Sequence, residues 1–185
     1  MMSDNASRAD RVRVLRISPL ACLAITLAAC AGAEPAGVTS TPPAAPTASA
    51  SAEQLAMDAY SGMWRAYAEA GATANPHDPD LARYASGRAL ATLRQGLTAI
   101  KDKRQVLKGE YGSAPAVTSA SPTGQPTTIH ISDCLDGTNF LTYTTTGALA
   151  DDEPGGRRST TATVSNLGTE GWKVTGFAIQ EVGTC

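Results

Sequence analysis

The feature that most constrains the fold is a segment, Ala31 to Ser51, that cannot join a hydrophobic core. It consists almost entirely of Ala, Gly, Pro, Ser and Thr, with prolines at 35, 42, 43 and 46 and no aromatic residue. Such a segment buries too little apolar surface to offset the entropy lost on ordering. We therefore expect a flexible tether over residues 30–51 and one folded domain over residues 52–185, long enough for its own core.

The residues before the tether have the parts of an export signal. Arginines at 8, 11, 13 and 16 precede a mostly apolar run, Ile17 to Ala29, that is shorter than the roughly 20 residues of a membrane-spanning helix. The pattern Leu27-Ala28-Ala29-Cys30 resembles the bacterial lipobox, whose cysteine receives a diacylglycerol before cleavage. It predicts a signal peptide over residues 1–29, a lipidated Cys30 and a location at the outer face of the cytoplasmic membrane. A plain secretory signal or an uncleaved anchor is the alternative.

The charge of the exported part argues against nucleic-acid partners. The leader holds four of the 15 basic and two of the 17 acidic residues, so the remainder carries a net charge near −4. Its only basic cluster, Lys101 to Lys108, is interrupted by Asp102 and by two apolar residues, and we interpret it as a solvated helix end.

The first half of the domain has helical periodicity. Ser51 and Gln54 have the form of a capping box before an apolar face, and Gly71 offers a helix end. That face is formed by Leu55, Ala59, Tyr60, Met63, Trp64 and Tyr67. Asp78-Pro79 predicts the start of a short helix, and leucines at 90, 93 and 97 with Ile100 predict a further long one.

The second half has the composition of strands. Five segments rich in Thr, Val, Ile and aromatic residues are separated by turn-forming residues: 116–121, 127–134, 139–145, 157–166 and 172–182. Short connections favour antiparallel pairing of consecutive strands, so we expect a meander. In the last strand the apolar positions change parity near Gly176, which predicts a β-bulge.

Helices followed by a bent meander, in a domain of this size, resemble the nuclear-transport-factor-2-like (NTF2-like, cystatin-like) fold. Asp133-Cys134-Leu135-Asp136, an aromatic strand around Phe140 and Tyr143, Gly171-Trp172-Lys173-Val174 and a terminal Cys185 are similar to a group of actinobacterial secreted and lipid-anchored proteins of unassigned role. The resemblance implies an α+β cone, with N-terminal helices packed on a bent antiparallel meander. It supplies no catalytic residues.

The candidate pocket residues lie on the first helix and one strand. Tyr60, Trp64 and Tyr67, with Asp58 at the edge of the stripe, have the composition of a ligand site, but core packing explains the same stripe and we favour it. His130 alternates with two isoleucines and is expected on the opposite sheet face. We predict no metal site, because the Asp151-Asp152-Glu153 run before Pro154 is typical of an exposed hairpin tip.

Two cysteines remain once the leader is removed and Cys30 is acylated. Cys134 and Cys185 are then the only thiols, and export places them in an oxidising compartment. We predict a disulfide between them.

Two functions from different classes stay open. We favour a non-enzymatic, lipid-anchored domain without cofactor that binds a protein, glycan or small molecule, with homodimers open as an assembly. The alternative is a cyclase- or isomerase-like enzyme with a pocket inside the cone. A buried Asp or His in a deep pocket would favour the enzyme, and a cone filled by Trp64 and Tyr60 would favour the binding domain.

Overall fold

The computed structural model describes residues 50–150 and 155–185. Within them the chain forms an α+β domain in which three α-helices precede six strands. The helices are α1 (Ala52–Gly71), α2 (Pro79–Tyr84) and α3 (Gly87–Asp102). The strands are β1 (Gln105–Lys108), β2 (Ala116–Ser121), β3 (Thr128–Asp136), β4 (Leu141–Thr144), β5 (Arg157–Asn166) and β6 (Trp172–Ile179). The predicted leader, Cys30 and all but the last two residues of the tether lie outside the described residues.

The predicted helix starts are confirmed by their caps. The Ser51 hydroxyl accepts a hydrogen bond from the Gln54 amide at 3.1 Å, and Asp78 accepts one from the Asp80 amide at 3.0 Å. Gln54 does not complete the capping box, because its side chain donates to Asp58 at 2.8 Å instead. Each cap satisfies an amide that has no partner inside its helix.

The strands form two antiparallel sheets, which corrects the expectation of a simple meander. The larger sheet has the order β2-β3-β5-β6, and β4 pairs with β1 in a separate ribbon. β3 has β2 on one edge and β5 on the other, with continuous pairing to β5 from Thr128 to Asp136. Because both edges of β3 are taken by longer partners, the short β4 cannot pair with it.

The ribbon also corrects the interpretation of Lys101 to Lys108 as a solvated helix end. Helix α3 stops at Asp102, and the following residues form β1, in which Leu107 is buried. Leu107 packs against Gly71 at the end of α1, where any larger side chain would collide with it. The segment after α3 is therefore a strand that contributes Leu107 to the core, and not a solvated helix end.

The predicted bulge in the last strand is confirmed. Thr163 of β5 pairs with Gly176, but the adjacent Val164 pairs with Val174, so one residue of β6 is extra at this point. The shift brings Val174 and Phe177 to the same inner face although their positions differ in parity.

The core lies between the helices and one face of the larger sheet. Tyr60 and Met63 on α1, Leu93 and Leu97 on α3 and the inner residues of β3, β5 and β6 are buried there. Leu55, which the periodicity assigns to the buried stripe, is instead exposed, because the buried face of this part of α1 is formed by Ala56, Ala59 and Tyr60.

In the described parts of the chain, no helix combines the length and apolar character required to cross a membrane.

Candidate functional site

The inner face of the larger sheet changes from apolar to polar along its strands. Ile131 of β3 is buried, but the next inner position is Asp133, only 6% exposed. On β5 the same end of the face carries Thr160 and Arg158, which pair with Asp133 and Leu135 respectively. Buried polar groups reduce stability unless they form hydrogen bonds, so the polar residues at this end of the sheet are candidates for a functional site.

Asp133 is held by three hydrogen bonds. Its Oδ2 accepts from the Tyr60 hydroxyl at 2.9 Å and from the Ser113 hydroxyl at 2.6 Å, and its Oδ1 accepts from the Ala114 amide at 2.8 Å. Hydrogen bonds to a charged acceptor are about twice as strong as neutral ones. The carboxylate thus fastens α1 and the β1–β2 connection to the middle of β3.

Tyr60 is a fully buried donor to this carboxylate. Burial raises the pKa of its phenol well above the ordinary value, and the neighbouring Asp133 carboxylate raises it further. The hydroxyl therefore stays protonated and donates to Asp133. Trp64 packs edge-on against Tyr60, and among the described residues its buried indole N–H makes no hydrogen bond of good geometry. The indole N–H is nevertheless near enough to the phenol to lower the Tyr60 pKa, an effect smaller than that of burial.

Residues 109–115, which we call the closing segment, join β1 to β2 across the polar end of the inner face. Gly112 exchanges two backbone hydrogen bonds of 2.8 Å with Asp136, next to the contacts that Ser113 and Ala114 make with Asp133. Tyr111 packs against Trp64 and Phe140, with ring centroids 5.1 and 4.3 Å away. The segment therefore packs over Trp64 of α1.

The predicted pocket residues are only partly brought together. Tyr60, Trp64 and Tyr67 form one aromatic cluster, in which Tyr60 and Trp64 are core residues, as the packing interpretation expects. Asp58 is exposed and bound to Gln54. His130 is exposed on the outer sheet face, where its Nδ1 lies 3.3 Å from the Thr163 hydroxyl.

Two clefts flank Tyr111. One, which we call the Tyr111 cleft, has a volume of about 270 Å³ and is lined by Tyr111, Leu135, Gly137, Phe140, Gly155, Gly156, Arg158 and Ile179. The other has about 290 Å³ and is lined by Ser61, Trp64, Arg65, Glu110, Tyr111 and Ser113. Asp133 and Tyr60 line neither.

Arg158 is the charged residue of the Tyr111 cleft. Its Nε donates to the Gly155 carbonyl at 3.1 Å and its Nη1 to the Gln180 carbonyl at 3.5 Å. Ion pairs within residues 50–150 and 155–185 join Arg83 to Asp80 and Lys173 to Glu170, so no carboxylate of these ranges pairs with Arg158. Burial raises the pKa of the Tyr111 phenol, and the nearby Arg158 charge partly opposes this effect.

Asp133 and Arg158 are the residues that the sequence analysis missed. The alternation of side chains between the two faces of a strand predicts the position of both. Asp133 follows Ile129 and Ile131 at the same two-residue spacing, and Arg158 precedes Ala162 and Val164 in the same way. The parity that assigns His130 to the outer face therefore assigns Asp133 to the inner one.

The predicted disulfide is confirmed. Cys134 and Cys185 are joined, with their Cα atoms 5.8 Å apart. Cys134 lies on the outer face of β3, so the bond fixes the chain end to the side of the sheet opposite the core. The described residues contain no group of three or more His, Cys, Asp or Glu side chains able to hold a metal ion.

Comparison with known proteins leaves the family open. No protein-family model and no curated protein matches the chain. Among solved structures, the intermembrane space region of the chloroplast protein ARC6 is similar, with 17% identity over 68% of this chain and 94% of that one, and a TM-score of 0.38. A likeness of this size carries no argument about function.

Proposed function

We propose that the protein is a lipid-anchored, extracytoplasmic binding domain with an NTF2-like cone fold and no catalytic centre. The fold assignment is supported by the helices that pack on one face of a bulged antiparallel sheet, and by the likeness of the Asp133-Cys134-Leu135-Asp136 motif to the actinobacterial lipid-anchored group. The location is supported by the leader pattern and by a disulfide of the kind that persists in oxidising compartments.

The observation that carries the non-enzymatic assignment is the environment of Asp133. A general base must have an oxygen within reach of a substrate proton. Both oxygens of Asp133 accept hydrogen bonds from the protein, and the residue lines neither cleft beside Tyr111. Its bonds hold the closing segment in place, which is a structural role.

The Tyr111 cleft is the place where this domain would bind a ligand. Its walls combine aromatic and aliphatic side chains with one guanidinium, the mixture of apolar surface and few polar groups that ligand sites have. The second cleft presents the opposite charges of exposed Arg65 and Glu110, and the hydroxyl of Ser113 there is already bound to Asp133. The second cleft therefore has fewer polar groups that are free to bind a ligand.

Binding can be tested with a neutral apolar probe and two matched variants. We expect 3-phenylpropan-1-ol to shift the backbone NMR signals of cleft residues such as Leu135 and Phe140 in the isolated domain. Ile179→Ala should weaken this binding, whereas Leu167→Ala should not, because the two side chains are similarly exposed (38% and 39%) but Leu167 lies outside the cleft. Shifts spread evenly over the surface would contradict the proposal.

The location can be tested separately. Cys30→Ala should abolish lipidation and move the protein out of the membrane fraction, because a diacyl anchor adds about 0.8 kcal/mol of membrane affinity per buried methylene. An unmodified Cys30 in protein purified from membranes, measured by intact mass, would exclude the anchor.

The Asp133–Tyr60 pair is the observation that favours the enzyme as a second candidate. A carboxylate and a phenol on the inner face of the cone are groups that an isomerase-like enzyme would use for proton transfer. This function requires the closing segment to move away from Asp133. The stability of Asp133 variants, treated in the Discussion, distinguishes the two functions.

A further inference from the structure

We propose that the Tyr111 cleft binds a small monocarboxylate whose apolar body is about the size of one aromatic ring, with the carboxylate on the Arg158 guanidinium. This inference rests on the proposed binding function and names the chemical class of its ligand.

The position of Arg158 in the sheet is the first argument. Arg158 pairs with Leu135, so both side chains leave the sheet on the inner face, and Leu135 is buried. Its neighbour Arg157 points the other way and is exposed. Arg158 is only half-buried, so its guanidinium remains accessible from the cleft, and burial of part of the side chain beside Leu135 costs some hydration that an anionic partner can recover.

The second argument is the way the guanidinium is held. Carbonyl groups of Gly155 and Gln180 take one N–H of Nε and one of Nη1. The 3.1 Å contact orients the guanidinium, the 3.5 Å contact is weaker, and three of the five N–H groups, one on Nη1 and two on Nη2, remain for a ligand. A carboxylate, which accepts two parallel hydrogen bonds in one plane, fits such a donor pair.

The walls and volume of the cleft define the rest of the ligand. Tyr111, Leu135, Phe140 and Ile179 supply the apolar surface, and Tyr111 and Phe140 lie with their rings 4.3 Å apart. An apolar cavity of about 150 Å³ holds a benzene molecule. The cleft, at about 270 Å³, therefore has room for one ring and a short acid side chain.

The experiment compares three probes on the purified full chain at neutral pH: 3-phenylpropionate, 3-phenylpropan-1-ol and acetate. Dissociation constants come from titrations followed by NMR. We expect 3-phenylpropionate to bind at least about tenfold more tightly than the alcohol, because its carboxylate accepts charge-assisted hydrogen bonds from Arg158 that the neutral hydroxyl cannot match. Acetate, which lacks the apolar body, should bind more weakly than both.

The variants assign the effect to one side chain. Arg158→Gln should remove the advantage of the acid over the alcohol, and Arg158→Lys should retain part of it. Arg157→Gln is the matched control, because it removes the same charge from the adjacent residue on the opposite face, and it should change neither constant by more than about twofold. Thermal unfolding of each variant establishes that the fold is intact.

Three results would overturn the inference, and only the last would also exclude the binding function. If the alcohol binds in the cleft as tightly as the acid, or if Arg157→Gln weakens acid binding as much as Arg158→Gln, the carboxylate assignment is wrong but the binding function remains. If neither aromatic probe shifts the signals of cleft residues, both the inference and the binding function fail.

Discussion

Replacement of Asp133 by asparagine separates a structural carboxylate from a catalytic one. In the structure Asp133 accepts hydrogen bonds from Tyr60, Ser113 and Ala114. The asparagine amide can keep the Ala114 contact through its oxygen, and the two hydroxyls can reorient to accept from its nitrogen. The variant should therefore fold, but with neutral hydrogen bonds in place of charge-assisted ones.

The loss can be estimated from those bonds. A hydrogen bond to a charged group contributes about 1.5 to 3 kcal/mol and a neutral one about 0.5 to 1.5 kcal/mol. Ser113 is exposed, so its hydrogen bond to Asp133 is taken to contribute the least of the three. On this basis Asp133→Asn should lower the free energy of unfolding by about 2 to 3 kcal/mol. Asp133→Ala should cost more, about 3 to 5 kcal/mol, because it leaves the buried Tyr60 hydroxyl and the Ala114 amide without an acceptor.

Urea unfolding followed by tryptophan fluorescence measures these values. Asp58→Asn is the control, since Asp58 is exposed and its replacement should change the stability by no more than about 0.5 kcal/mol. A double-mutant cycle with Tyr60→Phe should give a coupling energy above about 0.5 kcal/mol. If Asp133→Asn is as stable as the wild type or more stable, the carboxylate does not stabilise the fold. The enzyme function then gains support, because catalytic groups often reduce stability.

The remaining predictions concern the aromatic core, the disulfide and the outer sheet face. Trp64→Ala should cost about 3 to 5 kcal/mol in urea unfolding, because the indole is only 5% exposed and its removal leaves a cavity. Replacing Cys134 and Cys185 by serine opens a loop with a sequence separation of 51 and should cost up to about 4 kcal/mol; an unchanged unfolding midpoint would contradict a stabilising bond. His130→Ala should leave both stability and secondary structure nearly unchanged, as measured by thermal unfolding and circular dichroism, because the side chain is exposed.

Local patterns in the sequence predict much of the fold. The caps at Ser51 and Asp78, the positions of the longer strands and the bulge near Gly176 follow from hydrogen-bonding groups and parity within a few residues. The disulfide follows from the count of cysteines left if the leader is removed and Cys30 is acylated, as the sequence predicts.

Pairing between distant segments cannot be predicted in this way. The β1–β4 ribbon depends on the contact of Leu107 with Gly71 and on the occupation of both edges of β3, neither of which a local pattern reveals. The closing segment is a further case, since nothing in residues 109–115 indicates that Asp133 will hold them. The inward direction of the Asp133 and Arg158 side chains is predictable, because the alternation of faces along a strand applies to polar residues as well as apolar ones.

Amide hydrogen exchange of Ala114 tests most directly whether the polar end of the inner face is closed. The Ala114 N–H donates to Asp133 at 2.8 Å, so it should exchange slowly, with a protection factor within about tenfold of the amides of β3. Gly124, in the exposed turn between β2 and β3, supplies the unprotected reference. Exchange of Ala114 as fast as that of Gly124 would show that the closing segment opens readily. It would contradict the claim that the hydrogen bonds of Asp133 hold this segment over the sheet.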